Sequence, residues 1–176
     1  MNQQIIIAGF GGQGVLFTGK FMAYAGLYQG FQVSWLPSYG PEMRGGTANC
    51  NVVISDLPVG SPIVISCTSL IAMNAPSLEK FEGAVLPGGK VFVDSTLISA
   101  KVQRTDVETF YIPATQLANE KEMKGLSNMI MLGKFIKETG ICEEGLIEKT
   151  LKKVVPPKKA ELLSKNMEAI QLGYSL

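Results

Sequence analysis

Residues 4–15 read QIIIAGFGGQGV, a β-branched apolar run that passes directly into four closely spaced glycines. A continuous apolar run of this length is typical of a strand buried on both faces, as in a parallel sheet. The residues that follow, 15–30, are rich in small and apolar side chains and predict a helix that ends near Gly30. The stretch therefore predicts a strand, a glycine turn and a helix, the opening unit of an α/β fold.

Strand and helix patterns alternate along the rest of the chain. The further predicted strands cover 31–36, 49–55, 61–66, 88–96 and 109–114, and the further predicted helices cover 68–84, 126–140, 143–155 and 158–173. Such alternation is typical of βαβ units, so we predict an α/β, Rossmann-like three-layer domain with a mostly parallel sheet and helices on both faces. At 176 residues the chain has the length of one domain, and we expect residues 1–176 to form a single one.

Charge and hydropathy narrow the classes of partner. Sixteen Lys and Arg oppose 15 Asp and Glu, so no basic field is available to hold nucleic acid. The mean hydropathy of +0.20 is apolar for a chain that lacks a run of about 18 apolar residues, the length needed to cross a bilayer. We expect neither a nucleic-acid nor a membrane partner, and either a large core or a surface that other proteins cover. The first residues, MNQQIIIAG, lack a basic segment with a cleavage site, which favours a cytoplasmic location.

The residue types that most often carry redox or hydrolytic chemistry are sparse. Cys50, Cys67 and Cys142 lie far apart without a C-x-x-C pair, so we expect buried, reduced thiols and neither a disulfide nor an iron–sulfur or zinc site. The chain has no histidine, the commonest general base and metal ligand. We therefore predict no catalytic residue and no metal site in this chain.

The glycines satisfy the G-x-G-x-x-G pattern directly after a strand and before a helix. Glycines permit close backbone approach, and the first helical N–H groups favour an anion. The candidate anion- or phosphate-binding residues are Gly9, Gly11, Gly12, Gln13 and Gly14. Dinucleotide binding also needs an acidic residue about 20 positions further on, and none occurs before Glu42, which counts against NAD or FAD. Tight strand–helix packing or subunit packing explains the glycines equally well.

Turn-forming residues dominate 37–49, PSYGPEMRGGTAN, and a connection of this length is often functional. Arg44 is the one arginine among the first hundred residues. Its planar fork binds a carboxylate or a phosphate through two hydrogen bonds, and its weak hydration suits interfaces. The simpler alternative is an ion pair between Glu42 and Arg44 that stabilises a surface loop.

Three motifs in order give the chain a family resemblance: GFGGQGV at 9–15, SYGPEMRGGTANCNVVISD at 38–56 and PVGSP at 58–62. Over essentially its full length the chain resembles the gamma subunit of 2-oxoacid:ferredoxin oxidoreductases, which also occurs as a domain of larger single-chain enzymes. The resemblance implies a complex with alpha, beta and delta subunits that converts a 2-oxoacid and CoA to acyl-CoA and carbon dioxide and reduces ferredoxin. It also implies that thiamine diphosphate, magnesium and iron–sulfur clusters lie on other chains, so that the isolated chain is inactive and binds no cofactor itself.

Within this resemblance, the second loop is expected to dock near the thiamine or CoA side of the active site, with Arg44 as an anion contact or interface anchor. The residues assigned to this interface or active-site edge are Tyr39, Glu42, Arg44, Gly45 and Gly46. Pyruvate, 2-oxoglutarate and 2-ketoisovalerate all fit as substrates, with 2-oxoglutarate slightly preferred. The alternatives are a free-standing NAD(P)- or flavin-binding oxidoreductase and a nucleotide-sensing or scaffold protein.

Overall fold

The computed structural model describes residues 2–38 and 47–176. The strands in these ranges are β1 (Asn2–Phe10), β2 (Gln32–Ser38), β3 (Thr47–Ser55), β4 (Cys67–Ala72), β5 (Val85–Asp94) and β6 (Glu108–Ile112). The helices are α1 (Val15–Tyr28), α2 (Ala75–Phe81), α3 (Ala114–Glu120), α4 (Ser127–Thr139), α5 (Glu144–Val154) and α6 (Leu162–Ser175).

The strands form one sheet in the order β2-β3-β1-β4-β5-β6. The strands β1, β4, β5 and β6 pair in parallel, whereas β3 runs antiparallel to both of its neighbours, β1 and β2. Five of the six strands therefore point the same way. This arrangement confirms the predicted mostly parallel, Rossmann-like sheet.

The two faces of the sheet carry separate hydrophobic clusters. Ile5 and Ile7 of β1 face the larger cluster, to which α1, α3, α4, α5 and α6 contribute side chains. Ile6 and Ala8 face the smaller cluster, to which α2 is the one described α-helix that contributes side chains. All four residues are at most 2% exposed, as expected for a strand buried on both faces. Helices thus lie on both faces, but five of the six described helices lie on one.

Small residues in α1 allow this helix to lie close to the sheet. A Cβ atom added at Gly19 would lie 2.4 Å from Cys50 Sγ on β3, and one added at Gly26 would lie 2.9 Å from Val33 Cγ2 on β2. The opposite side of α1 contacts α5. Because α1 is enclosed between the sheet and another helix, its sequence has no polar stripe.

The segment 61–84 departs from the predicted pattern. The strand predicted at 61–66 is wrong, because the strand in this region is β4, which begins at Cys67 and occupies the first part of the helix predicted at 68–84. Leu70, Ile71 and Ala72 are completely buried between β1 and β5, and a short apolar run buried on both faces has neither the strand nor the helix period.

Helix α2 begins only after Asn74, whose Oδ1 accepts a hydrogen bond from the Ser77 amide (2.8 Å). Pro76 stands in the first turn of α2, where its missing N–H group leaves no helical bond unmade. The proline therefore starts this helix and does not interrupt one.

The C-terminal helices follow the prediction more closely. Helix α4 ends before Gly140, which has the left-handed φ of 62° expected of a glycine C-cap. Helix α6 begins later than predicted, because a single 3-10 turn occupies Pro157–Lys159. Helix α3 begins at the last residue of the strand predicted at 109–114 and continues through residues for which the sequence predicts no element.

Candidate functional site

The glycine loop lies at the carboxyl end of β1, at the edge where open α/β sheets bind ligands. In the sheet register Phe10 pairs with Thr47, and Ser38 pairs with Asn49. Ser38 and Thr47, the described residues that flank 39–46, therefore lie at the same edge of the sheet as the glycine loop. The predicted interface residues Tyr39, Glu42, Arg44, Gly45 and Gly46 themselves lie outside the described residues.

Gln13 closes the loop onto the neighbouring strand. Its Oε1 accepts a hydrogen bond from the Phe10 amide (2.6 Å), and its Nε2 donates to the Met73 carbonyl just beyond β4 (2.9 Å). A Cβ atom at Gly9 would lie 2.6 Å from Gln13 Oε1. The Gln13 amide thus ties β1 to the end of β4, and Gly9 leaves the space that this link needs.

Gly14 precedes α1 in a left-handed conformation with φ 76°. A Cβ atom there would lie 2.3 Å from Nδ2 of Asn128, a side chain of α4 that is 4% exposed. Asn128 Nδ2 donates to the Gly14 carbonyl (3.3 Å) and to Thr18 Oγ1 (3.2 Å). Glycine is therefore required at position 14 for two reasons: the left-handed backbone conformation and the close contact between α1 and α4.

Gly11 has neither requirement. Its φ is not in the left-handed region, and no described atom lies within 4 Å of an added Cβ. Among the described residues no side chain caps the first turn of α1, and the turn has no acidic residue, so its N–H groups can bind an anion. The space beside Gly11, which no described atom occupies, can accept a further group at the loop.

Two adjoining hollows flank the loop. One, of about 260 Å³, is bounded by residues 10–12, and the other, of about 280 Å³, is bounded by Asn128 and Lys159. They meet at Gly14 and Phe17. Lys159 is the one charged side chain among the described residues that line either hollow. An apolar trough with a lysine and free helix N–H groups can hold a ligand that has an apolar body and an anionic group.

The antiparallel orientation of β3, the strand next to β1, argues against dinucleotide binding. In that mode the acidic residue for the ribose lies at the end of a parallel strand beside the glycine strand. Here the antiparallel strand β3 separates β1 from β2 and begins, rather than ends, at this edge. The geometry required for ribose recognition is therefore missing, in addition to the acidic side chain.

The three thiols lie in separate places. Cys50 and Cys142 belong to the larger cluster and Cys67 to the smaller one, on the opposite face of the sheet. Burial raises the pKa of Cys50 to about 12 and those of Cys67 and Cys142 to about 11, so all three are protonated at neutral pH. The predicted burial of the three thiols is confirmed, and their placement does not suit a shared iron–sulfur cluster.

Sequence reasoning missed Asn128 and Lys159, which come from helices and turns more than 100 residues beyond the loop. One signal for Asn128 exists, an amide residue inside the apolar run NMIML at 128–132. No described helix has the length and apolar character needed to cross a membrane. No group of three or more potential metal ligands occurs among the described residues.

A glycine loop that can accept a further group beside Gly11 but lies beside an antiparallel strand defines a Rossmann-like unit distinct from the dinucleotide-binding dehydrogenases. The sequence pattern of the Pyruvate ferredoxin/flavodoxin oxidoreductase family matches residues 4–176. The chain belongs to this family.

Curated relatives fall into two groups by length. The 2-oxoglutarate synthase subunit KorC of Methanocaldococcus jannaschii is 35% identical over 179 residues, which cover 100% of this chain and 94% of that protein. The ketoisovalerate oxidoreductase subunit VorA of Methanothermobacter thermautotrophicus is 38% identical over 172 residues, which cover 97% of this chain but 35% of VorA. The chain thus spans nearly all of KorC and about a third of VorA.

Solved structures show the same two lengths. The gamma subunit of a keto/oxoacid ferredoxin oxidoreductase from Geobacter sulfurreducens has a TM-score of 0.83 at 30% identity, with 98% of this chain and 96% of that chain covered. A 2-oxoglutarate:ferredoxin oxidoreductase from Magnetococcus marinus, with 2-oxoglutarate, coenzyme A and succinyl-CoA bound, has a TM-score of 0.87 at 25% identity. That match covers 99% of this chain and 30% of the other.

Proposed function

We propose that the chain is the gamma-type subunit of a 2-oxoacid:ferredoxin oxidoreductase complex in the cytoplasm. The complex converts a 2-oxoacid and CoA to acyl-CoA and carbon dioxide and passes the electrons to ferredoxin. The observation that carries the proposal is the match with KorC, which extends over 100% of this chain and 94% of the relative. Alpha, beta and delta subunits are the partners in this proposal.

The chain supports the active site in this proposal and performs no chemistry itself. The other chains hold thiamine diphosphate, magnesium and the iron–sulfur clusters. The buried, protonated thiols on both faces of the sheet support this division of labour, as does the use of the Gln13 amide within its own loop. The slight preference for 2-oxoglutarate rests on the KorC relatives, and 2-ketoisovalerate is the alternative because of VorA.

The glycine-loop edge faces the CoA side of the active site in this proposal. The open space at Gly11, the uncapped first turn of α1 and the position of Lys159 all support an anionic group at this edge. A phosphate of CoA is the anion that the proposed reaction supplies.

Purification of the tagged chain from its native source tests the assignment. Mass spectrometry should identify the accompanying subunits, and turnover should be measured with 2-oxoglutarate, pyruvate and 2-ketoisovalerate in the presence of CoA and ferredoxin. We expect CoA-dependent ferredoxin reduction with the highest kcat/KM for 2-oxoglutarate. A chain that is monomeric in its native source and binds a dinucleotide with micromolar Kd would contradict the proposal and favour the free-standing oxidoreductase.

Replacing Gly11 by leucine should reduce turnover of the complex at least tenfold while leaving the melting temperature of the isolated chain unchanged. The new side chain enters space that no described atom of this chain occupies, and in this proposal it displaces the anionic group of the ligand. Gly83→Leu is the matched control, because Gly83 also has open space around its Cβ position but lies in the turn after α2. Normal turnover of the Gly11→Leu complex would show that the glycine loop does not lie at the edge of the active site.

Replacing Lys159 by glutamine should raise the KM for CoA about fivefold to tenfold with little change in kcat, as expected for the loss of one charge-assisted contact worth about 1 to 1.4 kcal/mol. Lys158→Gln is the control, because Lys158 is the adjacent exposed lysine and does not line the hollow. Equal KM values for the two variants would exclude Lys159 as the anion contact.

A further inference from the structure

The three most exposed large apolar side chains of the described residues come from one short segment. Leu57, Ile63 and Ile65 are 72%, 61% and 82% exposed, whereas every other large apolar side chain in the described ranges is at most 52% exposed. The segment joins β3 to β4 at the edge of the sheet opposite the glycine loop, because Ser55 at the end of β3 pairs with Asn2 at the start of β1. We call residues 57–65 the apolar loop.

The backbone of the apolar loop is anchored. The Leu57 amide donates to Ser55 Oγ (3.0 Å), and the Ile63 amide donates to Ser61 Oγ (3.1 Å). Val64, between the two exposed isoleucines, is 7% exposed and belongs to the smaller cluster, against which Val59 also packs. The loop therefore has one apolar side packed on this chain and a second apolar side directed to solvent.

The exposed side is also free of charge. No residue of the apolar loop is charged, and α2 is the one described α-helix that packs on this face of the sheet. Burying the side chain of an isoleucine or a leucine is favourable, so three such side chains in water favour a partner that covers them. Three highly exposed large apolar side chains within nine residues of the chain favour a protein-interaction surface here.

The longer relatives indicate which protein covers it. The same unit makes up 35% of VorA and 30% of the Magnetococcus marinus chain, and it also occurs alone in KorC-length proteins. In the longer chains the unit is covalently joined to the other two thirds, whereas a separate chain must be held to its counterpart by contacts. We propose that the apolar loop docks onto the chain that corresponds to those remaining two thirds, an inference that rests on the proposed function.

A second copy of this chain is a weaker candidate. A two-fold contact through the same short loop would bury three aliphatic side chains from each copy, far less than the roughly 1,200–2,000 Å² that stable interfaces bury. A larger partner chain can extend the contact from the loop across the face on which α2 is the one described α-helix.

Affinity purification of the tagged chain from its native source tests the surface. The Ile63→Ser/Ile65→Ser variant should retain at least tenfold less of a partner whose sequence matches the remainder of VorA, with an unchanged melting temperature. The Ile63→Val/Ile65→Val variant, which keeps the patch apolar, should retain the partner. Leu27→Ser should also retain it, because Leu27 is a 52% exposed leucine on α1, which packs on the opposite face of the sheet from the apolar loop.

The outcomes separate the two proposals. Normal retention by the serine variant would overturn the docking surface alone, whereas a wild-type chain that retains no such partner would overturn both proposals. Sedimentation of the isolated chains provides a further check. A wild-type dimer that the serine substitutions dissociate would identify a second copy as the occupant and overturn the proposed partner.

Discussion

Replacing Gly133 or Gly173 by alanine is expected to lower the free energy of unfolding by about 3 kcal/mol or more. A Cβ atom at Gly133 on α4 would lie 2.0 Å from the Ile170 carbonyl oxygen, and one at Gly173 on α6 would lie 1.9 Å from the Ile130 carbonyl oxygen. Both neighbours are backbone atoms, so the helices must separate to accept the methyl group. The intrinsic gain of about 1 kcal/mol for alanine over glycine in a helix is too small to offset this.

Gly145→Ala provides the control for these two variants. Gly145 lies in α5 and has no described atom within 4 Å of an added Cβ, so alanine should stabilise the chain by roughly 0.4–1 kcal/mol. Urea unfolding followed by circular dichroism measures all three changes. Equal stability of Gly133→Ala and Gly145→Ala would show that α4 and α6 are not in close backbone contact.

Replacing Asp94 by alanine is expected to destabilise the chain by about 3 kcal/mol, because three hydrogen-bond donors lose a charged acceptor inside the protein. Asp94 is completely buried at the end of β5. Its carboxylate accepts hydrogen bonds from the Thr96 amide (3.1 Å), the Thr115 amide (3.4 Å) and the Thr115 hydroxyl (2.6 Å). These bonds tie the end of β5 to the first turn of α3, so the variant should loosen α3 first.

Asp106→Ala is the matched control. Asp106 is a partly exposed carboxylate whose pKa is lowered mainly by its hydrogen bond to Arg104. Exposed ion pairs contribute about 0–1 kcal/mol, so its removal should have little effect on the unfolding free energy. Hydrogen exchange should show faster exchange of the α3 amides in Asp94→Ala only. Unchanged exchange in that variant would contradict the proposed link between β5 and α3.

Local sequence signals correctly predicted helices and strands that have a long apolar run or that end at a glycine. The run Ile5 to Ala8 marked a strand buried on both faces, and Gly140 marked the end of α4. The same signals failed at β4, because a strand of six residues that is buried on both faces shows no alternation. The apolar segment at residues 61–66 forms no strand of the sheet, and its side chains Ile63 and Ile65 are exposed to solvent.

The sequence alone determined that the glycine loop lies between a buried strand and a helix, because that depends on neighbours in the chain. It also indicated that NAD binding lacked its acidic partner, and its motifs indicated the family. Only the tertiary structure decided why each glycine is present. Gly14 makes room for Asn128, from 114 residues away, whereas Gly11 meets no described atom. Contacts between distant parts of the chain are set by how helices pack on the sheet, and no local pattern records them.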